Sequence, residues 1–412
     1  MTDRFPSRAG VWLIGVILVG LLPAGVAAQE GAITFNTNFE GASLGKIQAL
    51  GPTEFRCHVE GQHDQRGRNR QATWFYFRID GAAGRDLTLT LTDWVGEYND
   101  RPACPMGPDI VPVYSDDGAS WRHVDRAAAA WDGATKELTL RFRPSGASIW
   151  VAHVPPYTVT NLRALLADLD RSPHARVEVI GRTARGREIP MVTVTDAGAA
   201  DAGKKVVWLQ ARQHAWEAGT SHVMDGALRF VTSDDPRAAE LRRRVVFRFT
   251  PMVDLDGVAG GRVRFNANGY DVNRHWSAVD LRDKAWLARA PEVWYTKKAI
   301  VAAGRIDLMV NLHNTETNEY VQTRADDPAT LRRMRRLFDL LVERSSFDPS
   351  RELGVGGTAD DTNTLYVQHQ VPVMLMEQRI STSKKLGRRP TVEDRLQFGR
   401  DLVINLAAAA LE

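Results

Sequence analysis

A chain of 412 residues is long enough for two domains, each with a core of its own. Charged residues make up 25% of the sequence and no tract is compositionally biased, which is typical of globular proteins and excludes fibrous and disordered classes. The formal charge of +3 is small and the Lys and Arg residues are scattered, which argues against nucleic acid as a partner.

Residues 1–28 have the pattern of a secretory signal peptide. Arg4 and Arg8 form a basic segment, the run VWLIGVILVGLL is apolar, and Val26 and Ala28 place small residues before a cleavage point. The apolar run of about 12 residues is shorter than the roughly 20 that a membrane-spanning helix needs. We therefore expect this segment to be removed, no stable membrane anchor to remain, and the protein to be exported, either to the periplasm or as a secreted protein.

Export affects the expected oxidation state of the two cysteines of the sequence. Cys57 and Cys104 both lie in the first third of the chain, and neither belongs to a Cys-x-x-Cys pair. An oxidising compartment favours a single disulfide between them, and two free buried thiols are the alternative.

Residues 29–156 are predicted to form an antiparallel β-sandwich domain. The segments ATWFYFRID, DLTLTLTDW, IVPVYS, ELTLRFRP and SIWVAHV have strand composition at close spacing, and turn sequences such as SDDGASW and PSGAS separate them. Two prolines in HVPPYT then end the pattern, because proline is excluded from strand and helix interiors.

Residues 157–412 are predicted to form an α/β domain with a mixed, largely parallel sheet and helices on both faces. Four apolar runs, KKVVWLQARQ, RVVFRFTPMVD, RIDLMVNLHN and VPVMLMEQ, have the length and density of strands buried on both faces. Helical periodicity lies between them, as in DDPATLRRMRRLFDLLVERS, and a capping box of Thr391 and Asp394 opens the last helix. Such alternation is typical of α/β folds.

Each of the four apolar strands leads directly into side chains capable of chemistry. These are His214 and Glu217 after the first strand, Asp254 and Asp256 after the second, His313 after the third and Glu377 after the fourth. Because ligands bind at the carboxyl ends of the strands in open α/β sheets, we expect these side chains to meet at one edge.

His214, Glu217 and His313 have the composition of a catalytic zinc site, which uses three protein ligands and leaves a fourth position open for water. We therefore expect one Zn²⁺ per chain. Glu377 remains as a carboxylate that could take a proton from the attacking water. A histidine satisfied by backbone groups in the core is the alternative for His313.

The segment GGRVRFNANGYDVNRHW, between the second and third strands, gathers Arg264, Asn273 and Arg274. Guanidinium groups bind carboxylates through two hydrogen bonds, so this segment suggests hydrolysis beside a carboxylate-bearing end of the substrate. A salt-bridged surface loop is the alternative. Arg379 follows Glu377 by two positions and therefore points to the same face of a strand. It is predicted to favour an acidic departing residue, unless a neighbouring carboxylate pairs with it.

These motifs together resemble the zinc metallocarboxypeptidases (M14), and among them the cytosolic-carboxypeptidase-like branch. QARQHAWEAGTSHVMDG resembles its His-Pro-Gly-Glu segment, and TPMVDLDGVAGGRVRFNANGYDVNRHW its Asn-Pro-Asp-Gly to Asn-Arg segment. DLMVNLHN is similar to its third-ligand strand, VPVMLMEQ to its catalytic-glutamate strand, and the β-sandwich with IWVAHVPPYT to its N-terminal domain. The likeness covers nearly the whole mature chain, with the motifs in the family's order.

The resemblance implies a role for each matching residue. His214, Glu217 and His313 would bind zinc, and Glu377 would be the general base and acid. Arg264 would polarise the carbonyl of the cleaved bond.

The remaining matches concern substrate binding. Asn273 and Arg274 would hold the terminal carboxylate of the substrate. The family also uses a tyrosine upstream of the catalytic glutamate, for which Tyr366 in NTLYVQHQ is the candidate.

The sequence departs from the branch around these residues. Ala215 and Trp216 replace the Pro-Gly between the first two ligands, Asp254 and Leu255 replace Asn-Pro, and NLHNT lacks the usual Gly after the third ligand. These departures concern the choice of substrate, since the ligands themselves are present.

The expected function is hydrolysis of the C-terminal peptide bond of peptides or proteins, including cell-wall peptides as possible substrates. A zinc amidase or deacylase acting on a carboxylate-bearing small molecule or cell-wall peptide is the alternative on the same scaffold. A binding protein without catalysis is the third reading, and a base such as Glu377 beside the metal argues against it.

Overall fold

The computed structural model describes residues 32–356 and 362–412. The predicted signal segment, residues 1–28, lies outside the described residues. Ile33–Glu412 forms one unit in which the β-sandwich and the α/β part share a continuous core. The predicted boundary between residues 156 and 157 stays a prediction.

The N-terminal part has two five-stranded sheets, ordered β1-β4-β12-β8-β9 and β10-β11-β5-β3-β2, and β6 pairs with β7 in a separate two-stranded sheet. Every neighbouring pair is antiparallel except β3 and β5, which are parallel. The leucines that alternate along β5 belong to one core with Phe77 and Ile79 of β4, as expected for a sandwich. The strands are β1 (Thr34–Asn36), β2 (Ile47–Ala49), β3 (Glu54–His58), β4 (Tyr76–Asp80), β5 (Leu87–Thr92), β6 (Gly96–Tyr98), β7 (Arg101–Ala103), β8 (Val113–Ser115), β9 (Arg122–His123), β10 (Ala129–Asp132), β11 (Glu137–Phe142) and β12 (Ser148–Ala152).

The second part is built on an eight-stranded mixed sheet of order β13-β14-β16-β15-β17-β20-β18-β19. Its strands are β13 (Ala175–Arg182), β14 (Glu188–Val194), β15 (Lys205–Ala211), β16 (Val245–Thr250), β17 (Leu308–Thr315), β18 (Tyr320–Thr323), β19 (Gly354–Val355) and β20 (Val373–Arg379). The four strands predicted from apolar runs, β16, β15, β17 and β20, are neighbours and all parallel. The predicted fold class is confirmed.

Helices cover both faces of this sheet. They are α1 (Val159–Leu169), α2 (Ala218–Thr232), α3 (Pro236–Arg244), α4 (Leu255–Ala259), α5 (Ala285–Arg289), α6 (Pro291–Ala302), α7 (Pro328–Arg344), α8 (Thr364–His369) and α9 (Val392–Leu411). Within β15, Val207 and Leu209 face the core with α2, α7 and α9, whereas Trp208 faces the core with α6. This alternation explains why the strand is apolar throughout.

Two helix starts follow from their sequences. The side chain of Asp327 accepts a hydrogen bond from the Thr330 backbone N–H at 2.8 Å and begins α7. Thr391 and Asp394 form the predicted capping box at the start of α9. None of the described helices has the length and apolar character needed to cross a membrane.

The predicted disulfide is wrong, since Cys57 and Cys104 are both free. Cys57 lies within β3 with no exposed surface, and its side chain belongs to the sandwich core. Burial raises the pKa of its thiol to about 12. Cys104 follows β7 and lines an open cleft instead. Cys57 is thus enclosed in the core, whereas Cys104 is only partly buried and lies at the cleft.

Candidate active site

The parallel strands bring the predicted side chains to one edge of the sheet. β15 ends at Ala211, and His214 and Glu217 follow in the turn that leads into α2. In β17 and β20, His313 lies opposite Glu377 in register. Carboxyl ends of parallel strands thus gather these residues although they are far apart in sequence.

His214, Glu217 and His313 form a buried group whose possible ligand atoms all lie within 4.8 Å of one another. The Nδ1 atom of His214 is 2.7 Å from one carboxylate oxygen of Glu217, and the Nδ1 atom of His313 is 3.0 Å from the other. Two imidazole nitrogens and one carboxylate are donors that suit zinc. The residues present therefore fit the metal.

The other nitrogen of each imidazole is held by a second partner. Nε2 of His214 lies 3.2 Å from Oδ1 of Asp271. Nε2 of His313 lies 3.0 Å from Oε1 of Gln213. Such contacts orient a ligating imidazole and fix which nitrogen faces the metal. Here they leave both Nδ1 atoms directed at Glu217.

The electrostatics of this group favour a cation. Burial raises the pKa of Glu217, but His214 and His313 outweigh it and bring that pKa down to about 2. Burial and the Arg264 charge oppose protonation of His214, yet Glu217 and Asp271 raise the pKa of this imidazole. The carboxylates thus supply negative charge where a metal ion would bind.

Arg212 shapes the turn that carries His214 and Glu217. Its backbone adopts a left-handed conformation with φ of 60°, which is uncommon outside glycine. Its buried guanidinium donates to the carbonyl oxygen of Ala215 at 2.7 and 2.9 Å and to that of Tyr157 at 3.0 Å. Burial lowers the pKa of Arg212 to about 9, against the opposing charges of Glu217 and Asp254. Arg212 therefore fixes the main chain between His214 and Glu217.

Arg264 lies beside the ligand group and is paired with Asp271, whose Oδ2 accepts from its Nε at 2.6 Å. The guanidinium also stacks on the ring of Tyr98, 5.1 Å from its centre. Burial opposes the charge of Arg264, but Asp271, Tyr98 and Glu217 raise its pKa. Arg264 is thus a fixed cation at the edge of the site.

Asn273 and Arg274 lie in different surroundings. Asn273 is buried, with its Nδ2 3.4 Å from Nε2 of His313, and its Oδ1 accepts from the hydroxyl of Thr362. Arg274 donates from Nη1 to the carbonyl oxygen of Asn273 at 3.0 Å and from Nη2 to the hydroxyl of Tyr98 at 2.9 Å. Tyr98 thus contacts both Arg264 and Arg274.

A cleft of about 510 Å³ opens at this edge of the sheet. The sandwich contributes residues 70–73 and 103–110 to it, and the α/β part contributes residues 314–317, Trp216 and Glu377. The large Trp216 therefore forms part of the wall beside the ligands. Two parts of the sequence build this cleft together.

A second cavity of about 380 Å³ adjoins the cleft and is lined by Asp271 and Arg274. Tyr98 and Arg264 line both spaces and mark the boundary between them.

The carboxylates that follow β16 support the fold and do not line the cleft. Asp254 begins α4 by accepting from the Gly257 backbone N–H at 2.9 Å, and burial raises its pKa well above the ordinary value. Asp256 accepts from Thr183 at 2.9 Å and from Arg187 at 2.7 Å. Of the four strand ends, this one contributes no side chain to the cleft.

The structure places Tyr366 away from the cleft-lining residues. Its ring packs in the core beneath the sheet, and its hydroxyl oxygen lies 2.9 Å from a carboxylate oxygen of Asp326 and 2.7 Å from one of Asp327. The tyrosine that contacts Arg264 and Arg274 is Tyr98, from the N-terminal part of the chain.

Arg379 is also absent from the residues that line the cleft. Its Nη2 donates to the Asp348 carbonyl oxygen at 2.6 Å, and Nε lies 3.9 Å from Glu319. The alternative of an arginine paired with neighbouring carboxylates is the one that the structure shows.

Several residues of the site were not predicted from the sequence. They are Tyr98, Arg212, Gln213, Asp271 and Glu316. Asp271 and Gln213 stand within two positions of predicted residues, so proximity in sequence was a usable signal. Tyr98 lies in a different part of the chain, and no local pattern points to it.

The α/β sheet thus carries, at the carboxyl ends of its strands, a buried His-Glu-His group with the composition of a metal site. Residues 162–318 match the zinc carboxypeptidase family, and residues 35–154 match the cytosolic carboxypeptidase N-terminal domain. The two matches together show a likeness to zinc carboxypeptidases in both parts of the chain.

Similar proteins carry the same description. Mouse cytosolic carboxypeptidase 2 is 28% identical over 293 residues, which are 66% of this chain and 33% of that protein. Cytosolic carboxypeptidase 6 of Caenorhabditis elegans is 27% identical over 60% of this chain and 55% of its own length. The chain thus spans between a third and about half of the length of these two relatives.

The fold has a match among solved structures. A metallo-carboxypeptidase from Burkholderia cenocepacia superposes with a TM-score of 0.79 over 92% of this chain and 99% of that chain, at 24% identity. This likeness shows the fold, including both the sandwich and the α/β part.

Proposed function

We propose that this protein is a zinc-dependent carboxypeptidase that hydrolyses the C-terminal peptide bond of peptides or proteins. The observation that carries the proposal is the arrangement of His214, Glu217 and His313 around one point, with Glu377 opposite His313 on the neighbouring strand. A binding site alone has no need of a carboxylate beside the ligands.

His214, Glu217 and His313 would hold one zinc ion per chain, using the Nδ1 atoms and the carboxylate that face one another. The ion would supply a Lewis acid that polarises a carbonyl group and makes water a better nucleophile at neutral pH. Asp271 and Gln213 keep the two imidazoles in the orientation that this requires.

Glu377 is the proposed general base and acid. It lines the cleft at the carboxyl end of β20, adjacent to His313. From there its carboxylate would take a proton from the attacking water and pass it to the departing amine. General acid–base catalysis of this kind contributes about a hundredfold to ten-thousandfold in rate.

The arginines are proposed to act at different moments. Arg264, fixed by Asp271, would stabilise the negative charge that develops on the carbonyl oxygen. Asn273 and Arg274 would hold the terminal carboxylate of the substrate. Tyr98 contacts both arginines, and we assign to it the contact with substrate that the sequence had suggested for Tyr366.

The test compares peptides with a free and an amidated C-terminus, using protein loaded with zinc. Glu377→Gln should keep its zinc and lose about a hundredfold to ten-thousandfold in turnover. Glu393→Gln, an exposed Glu-to-Gln change on α9, is the control and should behave as the parent.

Two outcomes would contradict the proposal. Equal cleavage of amidated peptides by the parent would favour an amidase. Unchanged turnover in Glu377→Gln would remove the general base from this site.

The natural substrates and the place of action belong to the same proposal. C-termini of peptides or proteins are the proposed substrates, and cell-wall peptides are a class to include in the screen. The signal pattern of residues 1–28 supports export to the periplasm or as a secreted protein. Detection of the intact protein with residues 1–28 in the cytoplasmic fraction would argue against export.

A further inference from the structure

Glu316 is a second carboxylate of the cleft, one residue beyond the end of β17. Its position is fixed by the main chain, since its carbonyl oxygen accepts from the Ser381 backbone N–H at 3.1 Å. It follows His313 by three positions and does not belong to the group of possible metal ligands. The proposed chemistry gives it no task.

None of the arginines that line the cleft among the described residues forms an ion pair with Glu316. Arg264 is paired with Asp271 at 2.6 Å, and Glu97 of the cleft is paired with Arg68 at 3.3 Å. Within the described ranges 32–356 and 362–412, no ion pair joins Glu316 to a lysine or arginine.

The guanidinium of Arg70, which also lines the cleft, is bound to main-chain carbonyl groups that include those of Asp93 and Val59. Burial and the charge of Glu217 raise the pKa of Glu316, although Arg264 and a hydrogen bond from Thr315 oppose this. A cation on the substrate would also stabilise the ionised carboxylate of Glu316, as the charge of Arg264 does.

The side of the cleft on which Glu316 lies identifies the part of the substrate that it faces. Arg274 lines the second cavity, which the departing C-terminal residue enters if Arg274 binds the terminal carboxylate. Glu316 and Glu377 line the first cleft, and Arg264 lies at the boundary, where the carbonyl of the cleaved bond is placed. Glu316 therefore faces the residue on the amino side of that bond.

We propose that Glu316 is a specificity residue that selects substrates carrying a cation, an ammonium or guanidinium group, on the amino side of the cleaved bond. This inference rests on the proposed carboxypeptidase function. The cation can be the side chain of lysine or arginine, or the free α-amino group of a short peptide, because both present the same chemistry to a carboxylate.

The experiment measures kcat/KM for N-acetylated peptides ending in X-Leu, in which X is lysine, arginine, norleucine or glutamate. Norleucine matches the aliphatic part of lysine without its charge. The parent should cleave the lysine and arginine peptides about tenfold faster than the norleucine peptide, as expected for one partly buried charge pair. The second arm uses unacetylated norleucine-leucine. A higher kcat/KM for this peptide than for its N-acetylated form would identify the α-amino group as the cation.

Glu316→Gln should abolish the preference and leave kcat/KM for the norleucine peptide within about twofold, since the variant loses only the charge. Glu97→Gln changes another carboxylate of the same cleft that already has a partner, and it should keep the preference. Persistence of the preference in Glu316→Gln, or cleavage without any charge preference in the parent, would overturn the inference.

Failure of the proposed function has a different signature, because then no peptide is cleaved at all. In that case the same peptides are titrated into zinc-loaded parent and Glu316→Gln protein by calorimetry. Tighter binding of the cationic peptides to the parent alone would support the role of Glu316, and equal binding of all peptides would reject it.

Discussion

Asp271 connects three functional groups of the site through one carboxylate. Its Oδ1 lies 3.2 Å from Nε2 of His214 and accepts from the Asn273 backbone N–H at 2.8 Å, and its Oδ2 accepts from Arg264 at 2.6 Å. All three charges are largely buried: the side chains of His214, Asp271 and Arg264 are 3%, 12% and 11% exposed. Asp271→Ala should therefore weaken zinc binding and destabilise the fold together.

The contacts of Asp271 indicate how large the loss of zinc affinity and the loss of stability should be. Loss of the hydrogen-bond partner of a metal-ligating histidine lowers metal affinity by about ten- to a hundredfold, which equals about 1.4–2.7 kcal/mol. Removal of one member of a buried ion pair leaves the other charge unpaired and costs about 3–5 kcal/mol. We expect the free energy of unfolding of metal-free Asp271→Ala to fall by about this second amount, through the unpaired Arg264.

The measurements are chelator competition for zinc affinity and denaturant unfolding of metal-free protein. Asp280→Ala is the matched control, because Asp280 lies shortly after this segment with its side chain 46% exposed and paired with Arg282 at 2.7 Å. The control should change stability by less than about 1 kcal/mol and leave zinc affinity unchanged. A folded Asp271→Ala protein with the zinc affinity of the parent would refute the orienting role of this carboxylate.

Three further predictions concern other parts of the molecule. Arg264→Ala should lower kcat by about a hundred- to a thousandfold, whereas Arg274→Ala should mainly raise KM; the reverse pattern in steady-state kinetics would exchange their roles. Cys104 should react with a thiol reagent in the native protein and Cys57 only after unfolding, because burial raises the Cys57 pKa to about 12; a disulfide-linked peptide in mass spectrometry would contradict this. Burial lowers the pKa of His153 to about 3, so the unfolded state binds the proton first and stability should be lost as the pH falls from about 6.5 towards 3, by up to about 1.4 kcal/mol per pH unit. His153→Phe should reduce that slope in denaturant unfolding at pH 7 and pH 4.5, and an unchanged slope would count against the role of His153.

Sequence reasoning succeeded where burial imposes a pattern. The four strands β15, β16, β17 and β20 are apolar throughout because helices cover both of their faces. Their parallel arrangement then brings His214, Glu217, His313 and Glu377 together without further information, because carboxyl ends of parallel strands share one edge. The ligand group was predictable for this physical reason.

The same reasoning missed the short strands of the sandwich. β9 has two residues, and β1, β2, β6 and β7 have three each, so none shows a measurable alternation. The parallel pairing of β3 with β5 and the separation of Cys57 from Cys104 depend on topology. Composition and compartment favoured a disulfide, but neither shows which way a side chain points.

The partners of Arg379 and Tyr366 could not be predicted from the sequence either. Arg379 follows Glu377 on the same strand, so alternation placed both on one face, yet Asp348 and Glu319 arrive from other segments and bind the arginine. Tyr366 lay at a plausible distance in sequence, but its hydroxyl is bound by the acidic residues that precede α7. In both cases the deciding partner comes from another element.

Tyr98 shows why the sandwich matters to the chemistry. It ends strand β6, and its hydroxyl and ring contact Arg274 and Arg264 at the boundary of the two cavities. The same sandwich supplies residues 103–110 of the cleft wall. His313 and Glu377 lie on strands of the sheet and His214 and Glu217 lie in the turn after β15, whereas much of the cleft wall comes from loops, which tolerate change. Substrate preference can therefore change through this wall while the metal group and Glu377 remain as they are.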